Sequence, residues 1–200
     1  MLDRTIPYYN IIMKGDSRVG ADVRLPQGYT LRAYRAGDEA DWARMECAVG
    51  DFPAREAAAA YFAANFGGAQ AALAKRMAIA IAPDGTAAGA CMAWRETRGE
   101  ETASFVHWLV VDPAHQGRGL GRALCAKTLQ TFRLLGEYEV YLHTQPWSYK
   151  AVMLYDSFGF RMLRRGTFLG KENEYAPAME TLAGVLPPQA LCRLKAHAQE

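Results

Sequence analysis

The stretch VVDPAHQGRGLGRAL, Val110 to Leu124, constrains this chain more than any other. Before it runs ASFVHWLVV, continuously apolar and so predicted to be a strand buried on both faces. After it, Leu120, Leu124, Cys125, Leu129, Phe132 and Leu135 share one half of a helical wheel. Arg122, Lys127, Gln130 and Arg133 fill the other half. The junction itself carries Gly117, Gly119 and Gly121, alternating with Arg118 and Leu120. A buried strand that turns within a few residues into an amphipathic helix must lay that helix on a sheet. Only a layered α/β architecture does so.

The rest of the chain agrees. YTLRAYR from Tyr29 alternates as a strand, and Asp38 and Asp41 give a capping-box-like start to a helix carrying Trp42, Met45 and Val49. FPAREAAAAYFAANFGG predicts a second helix, with Pro53 in its first turn and Gly67-Gly68 at its end. RMAIAIA, PDGT and AAGACMAW read as strand, turn and strand. Beyond the glycine junction, YEVYLHT is a strand, SYKAVMLYDSF a covering helix ended by Gly159, and FRMLRRGTF a further strand. The tail, split by Pro187-Pro188, predicts two short helices. The expected order is strand, two helices, a three-strand meander, helix, strand, helix, strand, in a mixed sheet.

A chain of 200 residues fits one domain and needs no disulfide staples to bury a core. A net charge of +2, with no run of five Lys or Arg, argues against nucleic acid. No apolar stretch is long enough for a membrane span, and the N-terminus lacks a signal-peptide pattern. Cys47, Cys91, Cys125 and Cys192 show no metal-ligand spacing. They predict reduced thiols in a cytoplasmic protein without a metal.

What the glycine junction holds follows from helix physics. The first N–H groups of a helix have no partners within it, and the dipole there favours anions. Glycines just ahead let the backbone adopt positive φ and approach a phosphate closely. Arg118 and Arg122 add charge. The dinucleotide pattern G-x-G-x-x-G fails, because its third glycine falls on Arg122. The P-loop pattern fails as well, since no glycine precedes Lys127-Thr128. What remains is Gln116-x-x-Gly119-x-Gly121 after Val111-Asp112-Pro113.

WLVVDPAHQGRGLGRAL resembles the acetyl-CoA loop of the GCN5-related N-acetyltransferases (GNAT), with its (Q/R)-x-x-G-x-(G/A) signature. AVMLYDSFGF is similar to the family's A-x-x-L-Y-x-x-x-G-F segment and follows in the expected order. The resemblance covers about residues 29–168, leaving extensions over 1–28 and 169–200 around a single α/β domain. It implies a central mixed sheet split by the acetyl-CoA site and flanked by helices. It also implies that the backbone of Leu109, Val110 and Val111 meets the pantetheine amides. The pyrophosphate would lie on Gln116, Gly117, Arg118, Gly119, Leu120, Gly121 and Arg122, with Ser148 and Ala151 as further cofactor contacts.

Acyl transfer to an amine requires a proton acceptor for the amine, donors for the oxyanion and a proton for the leaving thiolate. A backbone N–H near Leu109–Val111 suits the oxyanion. Tyr155 matches the family tyrosine that points at the CoA sulfur, and a phenol stays protonated at neutral pH. His107 is the candidate base. Strand alternation would put it on one face with Leu109 and Val111, and an imidazole titrates near neutrality. The alternative for both is plain core packing. His143, at the end of the next strand, is a weaker candidate, with a structural hydrogen bond as its alternative. Glu46 could meet an acceptor's positive charge or be merely solvated.

Ser148 stands where the family often has Asn, and is either a cofactor contact or the helix N-cap. Trp147 either lines the acceptor pocket or packs on the sheet. Trp42, Phe52, Tyr61 and Phe62 could recognise an apolar or cationic group, with packing as the alternative. The family's usual last hairpin strand is missing from the tail, and YYNIIM near the N-terminus is the candidate to replace it. The expected activity is N-acetylation of a small-molecule or peptide amine. A homodimer is possible, since dimers are common in the family. The alternatives are a non-catalytic acyl-CoA-binding module and a transferase of longer acyl chains.

Overall fold

The computed structural model describes residues 3–19 and 22–200. Along the chain run β1 (Ile11–Asp16), β2 (Thr30–Ala33), α1 (Asp38–Val49), α2 (Arg55–Phe66), α3 (Gln70–Arg76), β3 (Met77–Ile81), β4 (Ala87–Arg98) and β5 (Glu101–Val111). There follow α4 (Leu120–Leu134), β6 (Glu139–Thr144), α5 (Tyr149–Ser157), β7 (Arg161–Met162), β8 (Thr167–Phe168), β9 (Lys171–Glu172), α6 (Tyr175–Ala183) and α7 (Pro188–His197). Hydrogen bonding orders seven strands as β2-β3-β4-β5-β6-β1-β7, with β8-β9 as a separate hairpin. The β2–β3, β3–β4, β1–β6 and β1–β7 pairs are antiparallel.

The described residues form two compact units. One takes residues 22–94 and 106–131, the other 3–19, 95–105 and 132–200. In the first, an apolar core joins α1, α2 and α3 to β3, β4 and the end of β5. Trp42, Phe62, Met45, Leu73, Ile79, Met92 and Val110 are all buried in it. Gly89 on β4 permits this layer to close, because a Cβ there would stand 2.9 Å from both the Val110 carbonyl oxygen and Leu124 Cδ1. In the second unit, β1 fits between β6 and β7, with Ile11, Ile12 and Met13 fully buried. A strand with neighbours on both edges and cover on both faces needs such an apolar run. The N-terminal segment thus does supply a strand to the sheet, although it begins at Ile11 rather than Tyr8.

Several local expectations need correction. Asp38 and Asp41 form no capping box. Gly37, at φ 104°, precedes α1, and the Glu39 carboxylate accepts the Gly37 N–H at 2.8 Å. Asp38 instead takes both Arg32 guanidinium nitrogens at 2.6 and 2.7 Å and the Arg35 N–H at 2.7 Å. Pro53 lies before α2, not in its first turn, and α3 is an extra helix. FRMLRRGTF is not one strand. β7 ends at Met162 because β1 pairs with it through only Met13 and Lys14. The chain then bends into β8, which pairs with β9 across Leu169-Gly170. Both turn residues have positive φ, 46° and 76°, as a two-residue hairpin turn of type I′ demands. Arg98 donates to the Leu169 carbonyl at 2.6 Å and Glu101 accepts the Leu169 N–H, so Leu169 is held there by its neighbours.

Candidate active site

The glycine junction takes the conformation its sequence calls for. Gly117 and Gly119 sit at φ 75° and 88°, and a Cβ on either would meet open space. Positive φ, not crowding, therefore selects glycine here. Residues 116–119 are exposed, Leu120 turns into the core, and the Ala123 N–H closes the first helical bond onto the Gly119 carbonyl at 3.1 Å. The amides of Leu120 and Gly121 therefore lie ahead of the first α-helical bond. Arg118 and Arg122 are exposed on the same loop and first turn. This arrangement fits the diphosphate of a CoA-type ligand.

Asp112, Arg44, Tyr29 and His115 brace the approach to this loop together with Gln116, and of these only Gln116 was read from the sequence as a site residue. Asp112 accepts the Ala114 N–H at 2.9 Å and pairs with Arg44 of α1. Burial works against the Asp112 charge, but the Ala114 amide and Arg44 outweigh it and hold the carboxyl below its ordinary value. Arg44 also donates to the Ala87 carbonyl at 2.7 Å and to Asp41 at 3.2 Å. The Tyr29 hydroxyl meets His115 Nδ1 at 2.8 Å. Gln116 donates from Nε2 to the Val111 carbonyl at 3.0 Å, so that carbonyl already has a partner within the loop. The signature glutamine thus has a local structural task that its place in a motif does not reveal.

The end of β5 departs from simple alternation. Trp108 has φ 47°, a left-handed conformation rare for a bulky residue. The consequence is visible in its neighbours. Trp108 packs 5.3 Å from the rings of Trp42 and Tyr61, while the preceding His107 lies 5.8 Å from Phe66. Two successive residues therefore reach the α1–α2 layer, as they do at a bulge. The expectation that His107 shares a face with Leu109 and Val111 is corrected, since alternation assumes an unbroken pleat.

In the second unit, Tyr155 lies on the buried face of α5 with Val152 and Asp156, its ring 6.0 Å from Phe160. Ala151 is half-buried on the same helix. Ser148 does not cap α5. Its hydroxyl accepts from Gln145 Nε2 at 3.0 Å, so the capping alternative is set aside. Trp147 is sandwiched by the N-terminal segment, with the Arg4 guanidinium 4.2 Å from its ring and Tyr8 at 5.0 Å. His143 Nε2 lies 2.7 Å from Asn10 Oδ1, an oxygen that also accepts from the Tyr8 hydroxyl at 2.9 Å. That oxygen only accepts, so Nε2 carries the proton. Burial first, and Lys171 second, lower the His143 pKa to about 4.

On α1, Glu46 is 1% exposed and its Oε1 has no hydrogen-bond partner. Burial first, then the neighbouring Asp51, pushes its carboxyl well above the ordinary range. The reading of Glu46 as a solvated helix carboxylate is therefore wrong.

Residues 40–160 match the acetyltransferase (GNAT) family. The chain belongs to that family. It is 32% identical over 154 residues to mycothiol acetyltransferase of Geodermatophilus obscurus, across 69% of this chain and 46% of that protein. It is 36% identical over 69 residues to glucosamine 6-phosphate N-acetyltransferase of Trypanosoma brucei brucei, across 34% of this chain and 45% of that one. The chain thus spans less than half the length of either relative. A GCN5-related N-acetyltransferase from Sphaerobacter thermophilus superposes with a TM-score of 0.60 at 22% identity, over 78% of this chain and 49% of that one. The fold is the GNAT fold, a mostly antiparallel central sheet flanked by helices. Among the described residues no helix is long and apolar enough to cross a membrane.

Proposed function

We propose that the protein is an acetyl-CoA-dependent N-acetyltransferase that acylates the primary amine of a small molecule by direct attack. The observation that carries this reading is the loop of Gly117 and Gly119, held at positive φ against the start of α4 in a chain of the GNAT family. The named relatives, a mycothiol and a glucosamine 6-phosphate acetyltransferase, support a small acceptor over a protein one.

In this reading the amides of Leu120 and Gly121, with Arg118 and Arg122, take the diphosphate. The backbone of Leu109, Val110 and Val111 takes the pantetheine arm, and one N–H there takes the carbonyl oxygen as it gains charge. Ser148 and Ala151 complete the cofactor contacts. The amine nitrogen bonds to the thioester carbon as the carbon–sulfur bond breaks. His107 receives the proton the nitrogen loses, and Tyr155 gives one to the departing sulfur.

Thiol release from acetyl-CoA against a panel of amines tests the activity. Tyr155→Phe is expected to lower kcat at least tenfold with the acetyl-CoA KM within about twofold, and unchanged turnover removes its role. A pH–rate profile indifferent to His107→Ala removes the base. Acetyl-CoA binding with no thiol release for any amine would favour a non-catalytic acyl-CoA-binding module.

A further inference from the structure

Residues 3–9 precede β1 in the second unit and form neither helix nor strand. Their local bonds turn the segment back on itself. The Ile6 N–H donates to the Asp3 carbonyl at 3.2 Å, and the Thr5 hydroxyl donates to the Asp3 carboxylate at 2.6 Å. Side chains then join the segment to the unit. The Arg4 guanidinium stacks 4.2 Å from the Trp147 ring, Tyr8 lies 5.0 Å from the same ring, and Ile6 is buried. The Tyr8 hydroxyl donates to Asn10 Oδ1 at 2.9 Å and stands 3.3 Å from His143 Nε2. At Asn10 the backbone takes over. Its N–H donates to the Glu174 carboxylate at 2.7 Å, and its carbonyl accepts the Glu174 N–H at 2.9 Å. Asn10 is therefore a fixed end, from which residues 3–9 run as a strap over Trp147 and His143.

The shut strap holds two groups in environments they disfavour. Trp147 Nε1 is buried without a hydrogen-bond partner, and water would supply one if the strap lifted. His143 is neutral, and its N–H is already used on Asn10 Oδ1. Tyr8 faces the imidazole from the strap, Asn10 from the start of β1 and Lys171 from β9. The carboxylate of this group, Glu174, is engaged by the Asn10 N–H. A second proton on the ring would thus meet a desolvated setting and the Lys171 cation. Lifting Tyr8 lets water reach the ring and removes most of that penalty.

We propose that residues 3–9 are an acid-released strap: when His143 takes a proton, Arg4 and Tyr8 leave Trp147 and bare this end of β6, while β1 stays in the sheet. Trp147 directly precedes Ser148, so acidity sets access beside that residue. The direction follows from His143, which holds a proton less tightly shut, at about 4, than in water, at 6.5. Opening therefore takes up a proton and is favoured as pH falls from 6.5 towards 4. Those two values limit the rise in the opening constant between pH 7.5 and pH 5 to about 30-fold.

The test is exchange of the Trp147 indole N–H with D2O, followed by NMR on the full chain. The signal is assigned by its loss in Trp147→Phe. Dividing each rate by that of N-acetyltryptophanamide at the same pH gives the opening constant. It is expected to rise at least fivefold from pH 7.5 to pH 5. The Trp42 indole in the first unit and the Met13 amide in β1, both fully buried, should stay protected throughout. His143→Gln keeps a donor for Asn10 Oδ1 but does not titrate, and should abolish the rise. Tyr8→Ala should raise the opening constant at least fivefold already at pH 7.5.

The inference is overturned if the Trp147 opening constant is the same at both pH values, or if His143→Gln retains the rise. An unchanged constant in Tyr8→Ala overturns it as well. So does loss of Met13 or Trp42 protection in step with Trp147, which would mean that acid loosens the fold and not the strap.

Discussion

Single residues at both candidate regions are set by neighbours that sequence spacing does not expose. Arg44 is the clearest case. It ties α1 to Asp112 and to the Ala87 carbonyl at the mouth of the glycine loop. Arg44→Ala leaves Asp112 half-held, so the loop should pay more ordering entropy on binding. We expect the acetyl-CoA KM to rise about five- to tenfold, with kcat within twofold, in steady-state kinetics at saturating amine. His143 makes a pH prediction. Its pKa of about 4 in the folded protein lies below the ordinary 6.5, so the unfolded chain takes up a proton first as pH falls. Its contribution is complete above pH 6.5 and is lost between there and pH 4. The full shift corresponds to roughly 3 kcal/mol, reduced to about 2 kcal/mol by the partial exposure of the ring. Tyr8, Asn10 and Lys171 face it, and only Lys171 adds a charge to the shift. Urea denaturation at pH 7 and pH 4.5 should show His143→Gln losing less stability on acidification than the wild type.

At the scale of elements, what was legible followed periodicity, and what was not followed tertiary pairing. The helix from Leu120 ends within one residue of its expected end because its apolar stripe, with Leu124, Leu129 and Phe132 fully buried, has no competing period. FRMLRRGTF has strand composition throughout, but β1 offers it a partner over two residues only. Nothing in those nine residues shows where the partner stops. The bulge at Trp108 was equally hidden, since alternation is the default and only the packing of Trp42, Tyr61 and Phe66 overrides it. Gln116 was legible as a motif position and not as the brace of Val111. The tail helix α7 is pinned by one buried carboxylate. Asp156 receives Arg161 at 2.9 Å, Arg193 at 2.8 Å and His197 at 3.1 Å. Asp156→Ala should cost about 2 kcal/mol, less than a fully buried pair because the arginines regain water, and should speed hydrogen exchange in α7 first.

For the whole molecule, the order of elements and the family were written in two motifs and their spacing, whereas the N-terminal strand was only a candidate. Its burial now gives that strand a magnitude. Ile11, Ile12 and Met13, at about 2 kcal/mol each, contribute roughly 6 kcal/mol, comparable to the total stability of a small domain. Removing residues 1–16 should therefore abolish the cooperative melting transition of the second unit, and an unchanged melting curve would reject this. The account as a whole stands on the glycine loop, and calorimetric titration of CoA into the intact protein tests it most directly. We expect saturable heat with a micromolar Kd. In Gly119→Val, whose side chain disfavours φ 88°, affinity should fall at least tenfold. A wild type that gives no heat, or a Gly119→Val variant that binds as tightly, would contradict the account.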